Sequence, residues 1–208
     1  MELDAFFSKL NEIETDEALT DFCRKNLLHG TPFVFSSNDG DYYEFRKKIG
    51  DHFNIPFYEI YITGSAKIGF SPFKGKLFDY DSDIDVALVS PSLFDKMMHD
   101  ICDYQMQFRK NRGAVSEREL RKYHEFLEYV AIGWIRPDKL PVSFEMRNIK
   151  DQWFEFFRSI SNGKSEVGNY IVTAGVFKSY DHLERYTLSG LKSLSYRKKV
   201  GKRNGPTN

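Results

Sequence analysis

Residues 57–90 read FYEIYITGSAKIGFSPFKGKLFDYDSDIDVALVS, and the rest of the chain is organised around how this stretch folds. Residues 57–63 are rich in aromatic and β-branched types and predict a strand; residues 84–90, IDVALVS, predict a second. Between them lies Gly64-Ser65, with Gly69 four residues after Ser65. Glycine tolerates left-handed backbone, so this spacing predicts a sharp turn from strand into a short helix. Such a turn leaves backbone N–H groups and the Ser65 hydroxyl open to a polyphosphate. Asp83 and Asp85 stand two apart at the start of the second strand. A period of two puts both carboxylates on one face and Ile84, Val86 and Leu88 on the other. Like charges so placed repel unless a cation lies between them, and Mg²⁺ is held by one or two carboxylates together with substrate phosphates.

The bulk properties bound the answer. A chain of 208 residues suits one domain with a sizeable core, and 19 Phe and 12 Tyr supply the apolar area. A formal net charge of zero gives no global attraction to nucleic acid or anionic membrane. Charge is nonetheless segregated. The first stretch carries Glu2, Asp4, Glu12, Glu14, Asp16, Glu17 and Asp21 against Lys9; the last carries Lys192, Arg197, Lys198, Lys199, Lys202 and Arg203 without an acid. Cys23 and Cys102 lie far apart with no metal-ligand spacing, which predicts buried apolar residues and neither a disulfide nor a zinc site. No basic-plus-apolar leader and no run of bilayer length is visible, so the expectation is a cytoplasmic protein that does not engage a membrane.

Outward from the central stretch, residues 2–12 and 16–28 follow helical spacing, with Gly30 ending the second helix. Residues 31–36, TPFVFS, read as extended. Asn38 or Asp39 caps a helix over 41–52 that faces Tyr43, Phe45 and Ile49 inward. Helices follow over 92–106 and 116–132, joined by a basic turn with Arg109, Lys110 and Arg112. Pro137 and Pro141 bracket a loop ahead of VSFEMR, residues 142–147. Its alternation predicts a strand with Ser143, Glu145 and Arg147 on one face. A helix over 151–161, a strand over 169–177 and a helix over 180–194 complete the pattern. The expected organisation is one domain over 1–208, comprising a helical extension (1–37), a core (38–195) and a frayed basic tail (196–208).

GSAKIG followed by DSDIDVALV resembles the signature of the DNA polymerase β-like nucleotidyltransferase superfamily, tightly over residues 57–90 and loosely over 38–190. The stretch through Asp95, with GWIRPDKLP, resembles stand-alone bacterial nucleotidyltransferase-domain proteins. The resemblance implies an α/β (α+β) fold: a palm-like mixed sheet flanked by helices, with N-terminal helices and a helical insertion. It implies a third acid on a strand beside the D-x-D strand, for which Glu145 is the natural candidate. Asp83, Asp85 and Glu145 would then be the catalytic and metal-binding set for Mg²⁺ or Mn²⁺. Gly64, Ser65 and Gly69 would hold the triphosphate. Lys67, inside the turn, and Lys178, past the late strand, are phosphate candidates set against a reading as plain surface lysines. The implied reaction moves NMP from an NTP to a hydroxyl of protein or RNA, releasing pyrophosphate. Some small relatives of this kind work beside a partner in toxin–antitoxin or phage-defence modules, so the resemblance extends to an operon-encoded partner protein as an expectation. The alternatives are a synthase of a small nucleotide signal and a non-catalytic nucleotide-binding or antitoxin-like partner protein.

Overall fold

The computed structural model describes residues 2–143 and 146–203. In chain order the strands are β1 (Ile60–Thr63), β2 (Phe70–Ser71), β3 (Lys76–Leu77), β4 (Asp83–Val89), β5 (Trp134–Ile135) and β6 (Ile171–Phe177). The first helices are α1 (Leu3–Asn11), α2 (Asp16–Cys23), α3 (Asp39–Phe53) and α4 (Gly64–Ile68). After β4 come α5 (Pro91–Lys110), α6 (Glu117–Ala131), α7 (Met146–Ser159) and α8 (Tyr180–Arg203). The fold is mixed α/β, as expected. A four-stranded sheet runs β1-β4-β6-β5, with β4 and β6 parallel and both edge pairs antiparallel. The β2–β3 hairpin stands apart from it.

Alternation along β4 divides the interior in two. Ile84, Val86 and Leu88 join Ile60, Ile62, Val172 and Val176 in a core under α3, α5, α6 and α7. The opposite face carries Ala87, Val89 and Phe177, buried against Phe6, Phe22, Leu183 and Leu191 of α1, α2 and α8. The N-terminal helices are therefore part of a core and are tied to α8 by polar contacts. Arg24 donates to both Glu184 oxygens, at 2.6 and 3.0 Å, and Lys192 pairs with Asp16 at 2.8 Å.

That second face is covered only in part. On β4, Asp83 and Asp85 are exposed while Ala87 and Val89 are buried; on β6, Ile171 and Thr173 are exposed while Gly175 and Phe177 are buried. The two strands are in parallel register, Asp83 opposite Ile171 and Asp85 opposite Thr173. Helix α8 thus covers one end of the sheet face and leaves the other open.

Several expectations are corrected. Residues 31–36 form a 3-10 turn, Phe33–Phe35, in which the Phe35 and Ser36 N–H groups donate to Pro32 and Phe33 carbonyls. A second such turn, Phe57–Glu59, delays β1 to Ile60. The Asn38 side chain caps α3 as anticipated, and Phe45 and Ile49 are buried, but Tyr43 points outward. Helix α8 runs to Arg203, past the expected end at 194 and into the stretch read as a basic tail. Cys23 is buried, where desolvation and then the Glu184 carboxylate push its thiol up to about 12; Cys102 is exposed, against expectation.

The largest correction concerns 142–147. Among the described residues of this stretch there is no strand: Val142 and Ser143 are irregular, and Met146 and Arg147 already belong to α7. The reason is local hydrogen bonding from a distant side chain. The Glu119 carboxylate accepts from the Val142 and Ser143 N–H groups at 3.1 and 2.8 Å, and from the Ser143 hydroxyl. Backbone donors held this way are not available to a neighbouring strand. The edge place beside β6 is taken instead by Trp134–Ile135. Among the described residues no helix is long and apolar enough to cross a bilayer.

Candidate active site

Where α8 stops covering the sheet, a cleft of about 950 Å³ opens over the N-terminal ends of β4 and β6. Asp83, Asp85 and Thr173 line its floor, Gly64 and Ser65 one side, and Arg136 and Tyr186 the other. The β2–β3 hairpin contributes Phe73, Lys74 and Lys76.

Asp85 is braced from both sides. The Thr173 hydroxyl donates to its Oδ1 at 3.0 Å, and the Thr63 hydroxyl donates to its backbone oxygen at 3.3 Å. The strand partners are the cause, since Thr63 and Thr173 lie directly opposite Asp85 on β1 and β6. Gly64 completes the brace. Its φ is +64°, and a Cβ there would come within 2.8 Å of Asp85 Oδ2. Glycine is thus required twice, for the left-handed backbone and for the close approach. Helix α4 therefore begins in contact with the Asp85 carboxylate. At five residues α4 is too short for a substantial dipole, so its contribution is the Ser65 hydroxyl and the N–H groups of its first turn.

The electrostatics follow from concavity. Asp85 is accessible to water, yet it lies at the base of a cleft surrounded by protein, and this desolvation is the main influence raising its pKa. The Thr173 hydrogen bond opposes the rise, Asp83 adds to it, and Lys74 and Arg136 each oppose it. Among the described residues neither carboxylate is in an ion pair. Two water-accessible carboxylates without a cationic partner are hard oxygen donors of the sort that share a divalent cation with phosphate and water. They fit one such ion. No group of three His, Cys, Asp or Glu among the described residues is arranged to hold a metal.

The other anticipated residues are distributed differently. Gly69 does not line the cleft. It ends α4 with φ +86°, and a Cβ there would meet the Phe33 ring at 2.9 Å. Lys67 borders the cleft but is buried: its ammonium donates to the His29 and Gly30 carbonyls, and desolvation pushes its pKa down to about 8. It anchors the end of the second helical segment to the glycine turn. Lys178 follows the last residue of β6, five positions beyond Thr173, and thus sits at the opposite end of the sheet from the carboxylates. Its ammonium lies 6.0 Å from the centre of the Phe94 ring. Glu145 lies outside the described residues. The later strand that adjoins β4 is β6, which has Thr173 and Ile171 at the level of the two aspartates.

Residues that went unnoticed in the sequence take up this space. Arg136 binds Asp138 through two hydrogen bonds, at 3.1 and 2.9 Å, and its guanidinium lies 4.8 Å from the Tyr129 ring centre and 5.1 Å from that of Trp134. Lys74 lies at the turn of the hairpin. Both project a positive field onto Asp85. Within GWIRPDKLP the signal for Arg136 was an arginine following two apolar strand residues, and nothing local separates it from an ordinary surface arginine. Comparisons with protein-family models, curated proteins and solved structures find no match for this chain. The functional reading therefore rests on the site itself.

Proposed function

We propose that the protein is a divalent-metal-dependent nucleotidyltransferase that moves NMP from an NTP to a hydroxyl of a protein or RNA. The observation that carries this reading is the contact between Gly64, at the start of α4, and the Asp85 carboxylate, with Asp83 two residues away on the same open face. It brings a phosphate-compatible turn and a cation-compatible acid pair into one cleft. In this reading Asp83 and Asp85 hold Mg²⁺ or Mn²⁺, which supplies charge neutralisation on the triphosphate. Ser65 and the first N–H groups of α4 bind the β- and γ-phosphates, while Lys74 and Arg136 add positive charge at the rim. The acceptor oxygen attacks the α-phosphorus as the bond from that phosphorus to the bridging oxygen breaks. Pyrophosphate leaves with the electron pair, and the hydroxyl proton passes to water in the open cleft. The protein's part is positioning and charge placement, and no side-chain nucleophile is required.

The test is incubation with each α-labelled NTP, Mg²⁺ or Mn²⁺, and cell extract. The expected outcome is label on a protein or RNA fraction. With Asp83→Ala the labelling should fall about 10³-fold while the thermal melt stays cooperative, corresponding to about 4 kcal/mol of lost transition-state stabilisation. Labelling that survives Asp83→Ala in a clean preparation overturns the assignment. A non-catalytic nucleotide-binding role is the second reading, favoured by Thr173 and not an acid standing beside Asp85 on β6. It predicts metal-dependent NTP binding with no pyrophosphate release from any NTP. A role in a toxin–antitoxin or phage-defence pair belongs to either reading and predicts co-purification with a partner encoded alongside.

A further inference from the structure

Two large, partly exposed rings stand on the walls of the cleft that holds the carboxylates. Tyr186 is 42% exposed and Phe73 is 55% exposed, and both line the same cleft as Asp83 and Asp85. Tyr186 is held by packing behind it: its ring centre lies 4.6 Å from that of Trp134 and 5.8 Å from that of Phe177, which are themselves stacked at 5.2 Å and 8°. An aromatic side chain fixed along one edge and open on the rest presents contact area with little further entropy to lose. Phe73, at the turn of the hairpin, rests on α8 at Gly190, where a Cβ would come within 3.4 Å of its Cζ. Gly190 is one helical step of four residues beyond Tyr186. The two footholds are therefore about 6 Å apart along the helix axis.

Several polar groups on the α8 side of these rings are already engaged. Thr187 and Ser193 donate their hydroxyls to the Leu183 and Ser189 carbonyls, at 2.8 and 3.0 Å. Arg136 directs two of its N–H groups to Asp138, and in the proposed reading its guanidinium is placed at the phosphate rim. Little is left on this wall to read the edge of a base, whereas every base has a face to stack.

We propose that Phe73 and Tyr186 form a slot for the planar base of the nucleotide, which selects by stacking area, purine over pyrimidine, and does not distinguish adenine from guanine. This rests on the nucleotidyltransferase reading, and it assigns the hairpin and α8 as the two jaws of one site.

Calorimetric titration of the full chain with Mg²⁺ complexes of ATP, GTP, CTP, UTP and tripolyphosphate separates the two ideas. ATP and GTP should bind within about threefold of each other and about tenfold more tightly than tripolyphosphate, with CTP and UTP between. Tyr186→Ala and, independently, Phe73→Ala on the exposed hairpin should remove most of that tenfold preference and leave tripolyphosphate affinity unchanged; Tyr186→Phe should retain it. The slot is overturned if tripolyphosphate binds but ATP binds no better. It is equally overturned if both alanine variants weaken ATP and tripolyphosphate alike, or if ATP and GTP differ more than tenfold. If neither tripolyphosphate nor any nucleotide binds, the nucleotidyltransferase reading itself falls and takes the slot with it.

Discussion

The two ends of one sheet face differ more than the two faces do. At one end Ala87, Val89, Gly175 and Phe177 lie buried beneath α8; at the other, on the same strands and the same side, Asp83, Asp85, Ile171 and Thr173 meet water. The backbone is the same parallel ladder throughout, Asp83 to Val89 against Ile171 to Phe177. What changes is the cover. Helix α8 packs Leu183, Leu191 and Leu194 into the second core, and the hairpin leans on it at Gly190, so the sheet is roofed at one end and open at the other. A strand can therefore be a structural element over its second half and a presenter of charge over its first. The carboxylates are displayed on a rigid element, which holds a reacting geometry better than a loop would.

Substitutions along the same two strands sharpen or break this contrast. At the covered end, Phe177→Ala empties a site that is 3% exposed and removes the ring on which Trp134 stacks. It should cost about 3–5 kcal/mol, read as a fall in the denaturant midpoint at unchanged slope. A loss below about 1 kcal/mol would mean that α8 does not form this roof in solution.

At the boundary, Gly64→Ala places a Cβ against Asp85 Oδ2 and forces a left-handed backbone onto alanine. The strain should cost about 1–2 kcal/mol of stability. Because the clash falls on Asp85, any nucleotide transfer should fall by a larger factor than the stability change accounts for, whereas Gly113→Ala, with open space around it and no left-handed backbone, should spare transfer.

At the open end the sign reverses. The Asp85 carboxyl titrates above its ordinary range, because its cleft desolvates it and Asp83 repels its charge. The folded state thus holds this proton more tightly than the unfolded chain does. The stability contribution is at its best below the unfolded value and is lost as pH rises through the folded one. Asp85→Asn should therefore melt at a higher temperature than the parent at neutral pH, and the gap should close towards acid pH. Thermal melts across a pH series check both halves, and a variant less stable at neutral pH contradicts the sign. The smallest effect belongs to Ile171→Ser, opposite Asp83 and 54% exposed, which should change stability by no more than about 0.5 kcal/mol. A large loss there would mean that the open end is covered in solution.

The parts legible in the sequence were those decided within a few residues. The alternation of Asp83 to Val89, the glycine that must turn left-handed before Ser65, and the Asn38 cap on α3 all depend on backbone geometry and near neighbours, and each is found in the structure. The failures have one cause. Residues 142–147 alternate like a strand, but Val142 and Ser143 are held irregular by Glu119, more than twenty positions earlier, and Met146 and Arg147 open α7. Lys67 sits in the expected turn, but its ammonium is claimed by carbonyls at His29 and Gly30. Lys178 follows a strand correctly foreseen, at its wrong end for phosphate.

The sequence by itself therefore determined that two carboxylates share a strand face and that a glycine-serine turn precedes them, because the strand period and the sterics of left-handed backbone are local properties. Only the tertiary structure decided that Thr63, Thr173 and Gly64 converge on Asp85, that Lys74 and Arg136 are the cations whose field reaches it, and that α8 stops short of covering it. Those facts depend on strand order, register and the path of a helix nearly one hundred residues downstream, and no window of sequence contains them.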